Sequence, residues 1–134
     1  MIIEKEFKKL VHQLMSEEVA HISLGYSDIT LHVIDDASKV SLSSVIYFGG
    51  NFISNSVRNS LYTTPLFENN HIKTTLNINE EFFTITLHFL GGLTHLNKKM
   101  FINLLEDFSA LADHWRHYLD ERDKEDLVHI HIPK

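Results

Sequence analysis

A chain of 134 residues has the length of one domain, and 43% hydrophobic residues, including nine Phe, four Tyr and one Trp, suffice for a core without covalent staples. The lack of cysteine excludes disulfides, thiolate nucleophiles, iron–sulfur clusters and Cys-based zinc sites. Eighteen acidic against twelve basic residues leave a net charge of −6, which argues against nucleic acid as a partner, because that affinity rests on neutralising phosphates. Histidine is the unusual count, ten residues, and it makes the net charge strongly pH-dependent around the imidazole pKa.

No segment approaches the roughly 18–20 apolar residues needed to span a bilayer, so no membrane insertion is expected. The N-terminus, Met1-Ile2-Ile3-Glu4-Lys5-Glu6, lacks a basic region followed by an apolar stretch and a small-residue cleavage site, which fits a cytoplasmic protein. Two prolines and five glycines leave little room for a linker, and one domain over 1–134 is expected.

Helical spacing of Ile3, Phe7, Leu10, Val11, Leu14 and Met15 predicts a helix over 3–18. From residue 19 the period falls to two. Ile22, Leu24 and Tyr26 alternate with polar positions, then Ile29, Leu31 and Val33, and Asp35-Asp36 turns the chain. Val40, Leu42 and Val45-Ile46-Tyr47-Phe48 form a third extended stretch that closes on Gly49-Gly50. Such half-buried strands suit an antiparallel meander. Phe52, Ile53, Val57, Leu61 and Tyr62 mark a helix over 52–62, limited by Pro65. Ile72, Thr74, Leu76 and Ile78 alternate up to Asn79-Glu80-Glu81, and Phe83, Ile85, Leu87 and Phe89 return to Gly91-Gly92 as a hairpin. A stripe from Met100 to Leu119 predicts a last helix over 97–122, about 39 Å long at 1.5 Å per residue, with Asn97 or Thr94 as its cap. After the charged run Asp120 to Asp126, the alternation of Leu127 to Pro133 predicts that 123–134 form a strand or extended tail. The order is α-β-β-β-α-β-β-α, an α+β fold with helices on one twisted antiparallel sheet of about five strands.

Candidate chemistry is sparse. His114 and His117, at i and i+3, could join Asp113 and Asp120 as metal ligands, and His129 and His131 would share a face of an extended tail. The solvated flank of an amphipathic helix explains them as well, and no HExxH pattern is present. Gly49-Gly50 and Gly91-Gly92 fit neither phosphate-loop pattern, so both pairs are expected to be turns, and Ser41, Ser43 and Ser44 lack a nucleophile elbow. Asp35-Asp36 and Glu80-Glu81 fall in turns, where solubility accounts for them. No enzyme activity, metal or cofactor is expected. The remaining signal is apolar surface: three helices and five strands in so short a chain leave more apolar faces than one core covers, which a homodimer with a binding patch would resolve.

The order of elements, the meander Val19 to Gly50, the run Leu66-Phe67-Glu68-Asn69-Asn70, the hairpin Ile72 to Phe89 and the last helix with Phe108, Ala112, Trp115 and Leu119 resemble the class I chaperones of bacterial type III secretion, the Tir-chaperone-like family. The resemblance covers about residues 3–122; Pro65 and Asn69 depart from the family's pattern. It implies a non-enzymatic, cytoplasmic bacterial homodimer that binds the N-terminal region of a secreted effector and keeps it secretion-competent. By the same carry-over, Val57, Leu61, Tyr62, Leu66 and Phe67 belong to the dimer interface, and Ile3, Phe7, Leu10, Leu14, Ile46 and Phe48 contact the effector. Two alternatives stay open: an adaptor or regulatory dimer with a folded partner, and a histidine-dependent metal-binding protein.

Overall fold

Helical spacing and strict alternation resolve, in a computed structural model, into α1 (Glu4–Glu17), β1 (Val19–Leu24), β2 (Ser27–Ile34), β3 (Lys39–Phe48), α2 (Asn55–Ser60), β4 (Thr74–Asn79), β5 (Thr84–Gly92) and α3 (Lys98–His131). The structure describes residues 2, 4–62, 72–94 and 96–131, and beyond residue 124 the backbone alone. The fold is α+β, with the order α-β-β-β-α-β-β-α as expected.

The five strands form one open antiparallel sheet in the order β1-β2-β3-β5-β4, so β1 and β4 are its edges. Cross-strand register sorts the side chains. Ala20, Leu31, Leu42 and Phe89 follow one another across β1, β2, β3 and β5, and one residue further along, His21, Thr30, Ser43, His88 and Thr75 form the neighbouring row. Period-two alternation sends these rows to opposite faces. The first face is buried, with Ala20, Leu31, Val40, Leu42 and Leu87 fully covered. The second is exposed or half-buried and rich in Ser, Thr and His, with Val45 and Leu90 exposed among them. A register shift between Val45 and Tyr47 bulges β3 and lets the consecutive Ile46 and Tyr47 both be buried.

The helices cover the apolar face. Helix α1 buries Phe7, Leu10 and Leu14 and ends where Glu18 takes a left-handed φ of 64°. Its amide donates to the Leu14 carbonyl at 2.9 Å and its carbonyl accepts from Val33 at 2.8 Å, so the chain passes straight into β1. Helix α2 is shorter than the expected 52–62, because Ser54 is extended and caps it, accepting from the Val57 amide at 3.4 Å.

Helix α3 sets the long axis. The Asn97 side chain accepts from the Met100 amide at 2.8 Å and caps its start. The stripe Phe101, Leu104, Leu105, Phe108, Leu111, Ala112, Trp115 and Leu119 is buried. Lys98 pairs with Glu4 of α1 at one end of the sheet, beside the β2–β3 turn. Further on, Asp113 accepts from Ser27 Oγ (2.5 Å) and the Tyr26 amide (3.3 Å), and Ser109 Oγ donates to the Leu24 carbonyl (2.9 Å). Arg116 donates to the carbonyls of Tyr26 and, at 2.7 Å, Val45, and Tyr47 Oη donates to Asp123 at 3.0 Å. The helix therefore crosses the sheet from its β2–β3 end to its β1–β2 end.

Two expectations are corrected here. Helix α3 continues through His131, so residues 123–131 are helical rather than a strand or extended tail. The charged run sustains it: Glu121 and Lys124 pair at i, i+3 (3.4 Å), Arg122 lies 5.0 Å over the Tyr118 ring, and no Gly or Pro intervenes before Pro133. Gly91 and Gly92 are not a turn but the last residues of β5, opposite Val40 and Lys39. A side chain at Gly91 would overlap the ring of Phe89, so the glycine admits that ring. Among the described residues no helix is long and apolar enough to cross a membrane.

Candidate functional site

Where α1 and the start of α3 lean over the β2–β3 end of the sheet, they leave an apolar cleft of about 450 Å³. One wall is α1, through Phe7, Val11, Leu14 and Met15; Phe101 of α3 stands opposite, with Leu93 and Leu96 from the β5–α3 connection, and Val33 also lines it. The helical spacing that predicts the α1 face also predicts this wall, because positions 7, 11, 14 and 15 share a helix side. Phe7 and Phe101 meet edge to face, ring centroids 6.0 Å apart. Lys98 Nζ lies 5.8 Å over the Phe7 ring while paired with Glu4, and that hydrogen bond holds the Glu4 carboxyl below the usual carboxylate range. Met15, on the cleft wall, is 82% exposed.

The rim is acidic. Glu18 and Asp36 line the cleft and have no cationic partner among the described residues, whereas Asp35 pairs with Lys39 at 3.4 Å. Glu17 and Glu18 also stand at the C-terminal end of α1, where the helix dipole disfavours negative charge and where the last turn carries no basic residue. Four of the five non-glycine residues with positive φ among those described, Glu18, Asp35, Asp36 and Ala37, sit in the two turns that flank this rim. A second hollow, about 560 Å³, lies on the other flank of the first turns of α3, between Phe89, Met100 and Leu104, and shares Leu96 with the first.

Of the residues expected to contact an effector, Phe7 and Leu14 line the cleft. Leu10 is in the core at 3% exposure, and Ile3 lies outside the described residues. Ile46 and Phe48 are at the opposite end of β3, the first buried and the second 70% exposed, so the structure does not bring them to the cleft. Of the expected dimer residues, Val57 is fully buried, Leu61 is half-buried and Tyr62 is 82% exposed; Leu66 and Phe67 lie outside the described residues. Sequence reasoning missed Leu93 and Leu96, which follow Gly91-Gly92 without periodicity, and Val33, a strand residue that reaches the cleft through the fold. Asp113 is engaged by Ser27 and Tyr26, and among the described residues no group of three or more His, Asp or Glu is arranged to hold a metal ion.

No family model matches this chain, and no curated protein matches it.

Proposed function

We propose that this chain is a non-enzymatic, dimeric binding module of the type III secretion chaperone kind. It holds the N-terminal region of a secreted effector in the bacterial cytoplasm and keeps it secretion-competent. The observation that carries the reading is the apolar cleft between α1 and α3 with the unpaired carboxylates of Glu18 and Asp36 on its rim. An extended client segment supplies apolar side chains for the cleft and Lys or Arg for the rim, where opposite charge also accelerates encounter. Among the described residues the edge strands β1 and β4 each pair with a strand on one side only, so strand addition by the same kind of segment supports the reading independently of side chains. No cofactor enters this role.

The test uses Met15→Glu, whose exposed side chain leaves the core intact while placing a charge in the cleft. Tagged protein recovered from its native cell is expected to bring down a secreted protein whose N-terminal segment resists protease only in the complex, and Met15→Glu is expected to lose at least about 90% of that capture, as a buried unpaired charge would cause. A partner already protease-resistant when free would point to an adaptor role instead. A monomeric protein that recovers nothing secreted would end the proposal.

A further inference from the structure

We infer that Met15 is a reversible oxidation site: a peroxide converts its thioether to the sulfoxide and so closes the apolar cleft to its client. This concerns the regulation of the client cleft and rests on the chaperone reading. The chain has no cysteine, so its thioethers are its only oxidisable sulfur. Of its three methionines the structure describes Met15 and Met100, and neither belongs to the core. Methionine ordinarily fills gaps in hydrophobic interiors. Here the buried apolar side chains are Ile, Leu, Val, Ala, Phe, Tyr and Trp. Met15 is 82% exposed on the wall of the cleft, and Met100 is 46% exposed on the wall of the second hollow. Both thioethers therefore stand where an apolar guest would touch them, and Met15 is the more open to solvent. Along α1 it lies one turn beyond Val11 and one turn before Glu18, both of which line the same cleft.

The oxidant is hydrogen peroxide or an organic peroxide, and the step needs access rather than a catalytic group. The sulfur lone pair forms a bond to one peroxide oxygen and the O–O bond breaks. The second oxygen takes the proton of the first and leaves as water, so sulfur loses two electrons and the peroxide gains them. The product is polar where the thioether was apolar. Its oxygen accepts hydrogen bonds and donates none. The carboxylates of Glu18 and Asp36 on the rim are acceptors as well, and Lys98, the only cation among the lining residues, already pairs with Glu4. A guest's apolar side chain would then cover a polar group that lacks a partner, which disfavours binding. The reverse step falls to enzymes that reduce methionine sulfoxide with a dithiol: the S–O bond breaks, the oxygen leaves as water and the dithiol becomes a disulfide. A bound client shields Met15, so the oxidant reaches the empty protein first.

The test uses the full chain, dilute hydrogen peroxide and the neutral apolar dye Nile red, whose fluorescence rises in apolar surroundings. The part of the dye signal that Met15→Glu removes is the part that reads the cleft. Mass spectrometry is expected to find one added oxygen at Met15 before Met100, in the order of their exposure. Dye affinity is expected to fall about fivefold with that oxygen, as replacing buried apolar surface by a polar group does. Methionine sulfoxide reductases acting on both epimers are expected to restore it. Met100→Leu is expected to keep the fall, whereas Met15→Leu, which has no sulfur in the cleft, is expected to bind dye equally before and after peroxide. Slower oxidation of Met15 than of Met100, a Met15 sulfoxide that leaves dye affinity unchanged, or a fall that persists in Met15→Leu would each overturn the inference. So would equal capture of a client by the reduced and the Met15-oxidised protein. Failure of Met15→Glu to impair client capture strikes the chaperone reading instead, and the dye titration reports oxidation at the cleft without a client.

Discussion

Gly25 joins β1 to β2 at a φ of +59°, and a methyl group there would overlap the carboxylate of Asp113. Gly50 has a φ of +80° and open space around it. The pair separates backbone from contact. For Gly50→Ala only the left-handed conformation matters, about 1 kcal/mol. Gly25→Ala carries that cost and also displaces the carboxylate that accepts from Ser27 Oγ at 2.5 Å and from the Tyr26 amide at 3.3 Å. A hydrogen bond to a charged group contributes about 2 kcal/mol, so loss of the shorter of the two brings the expected total to about 3 kcal/mol. Both changes restrict the unfolded chain equally, and that effect cancels in the comparison. Near this chain length each kcal/mol lowers Tm by about 4 °C, so thermal unfolding should fall by about 12 °C for Gly25→Ala and about 4 °C for Gly50→Ala. In an Asp113→Ala background the excess should vanish, since the obstructing group has gone. Equal losses for the two alanines, or an excess that survives removal of Asp113, would refute the idea that this carboxylate clamps α3 to the β1–β2 turn.

Two further outcomes follow from buried hydroxyls. Burial, and then the hydrogen bond to Asp123 and its negative charge, push the Tyr47 phenol up to about 12 from its ordinary 10.0. A raised pKa means that the folded state holds the proton longer, so this stabilisation is complete below pH 10 and is lost as pH rises toward 12. Denaturant titrations at several alkaline pH values should show that slope in the wild type and a shallower one in Tyr47→Phe. Ser44 is 97% buried by its 3% exposure and its hydroxyl has no hydrogen-bond partner among the described residues. Ser44→Ala is therefore expected to raise unfolding free energy by about 1 kcal/mol in urea, and a loss of stability would show that the hydroxyl is satisfied.

Legibility in the sequence followed the range of the interaction that decides each feature. The alternation of Ile29, Leu31 and Val33 and of Ile85, Leu87 and Phe89 depends on neighbours two residues away, and it predicts the strands correctly. The spacing of Phe7, Leu10 and Leu14 likewise predicts α1 and its buried side. At the chain's end the local signal misled: alternation of Val128 and Ile130 suggested a strand, while the helix already running through Leu119 is cheaper to extend than a new element is to start. The same limit applies to the candidate site. Phe7 and Leu14 were legible as a face, but which face of the protein would remain uncovered was not.

Composition and periodicity by themselves determined the element order, the α+β class and the inward side of the central strands and of α1, because these depend on residues a few positions apart, whereas Phe52 and Tyr62, read as part of one helix face, are exposed. The insertion of β5 between β3 and β4, the cleft joining Phe7 to Leu96 and Phe101, and the hydrogen bond that ties the β4–β5 turn to Gly49 were decided only by the tertiary structure. Pairing between distant strands places these residues together, and a stretch of sequence records which residues are apolar but not which distant segment will lie beside them.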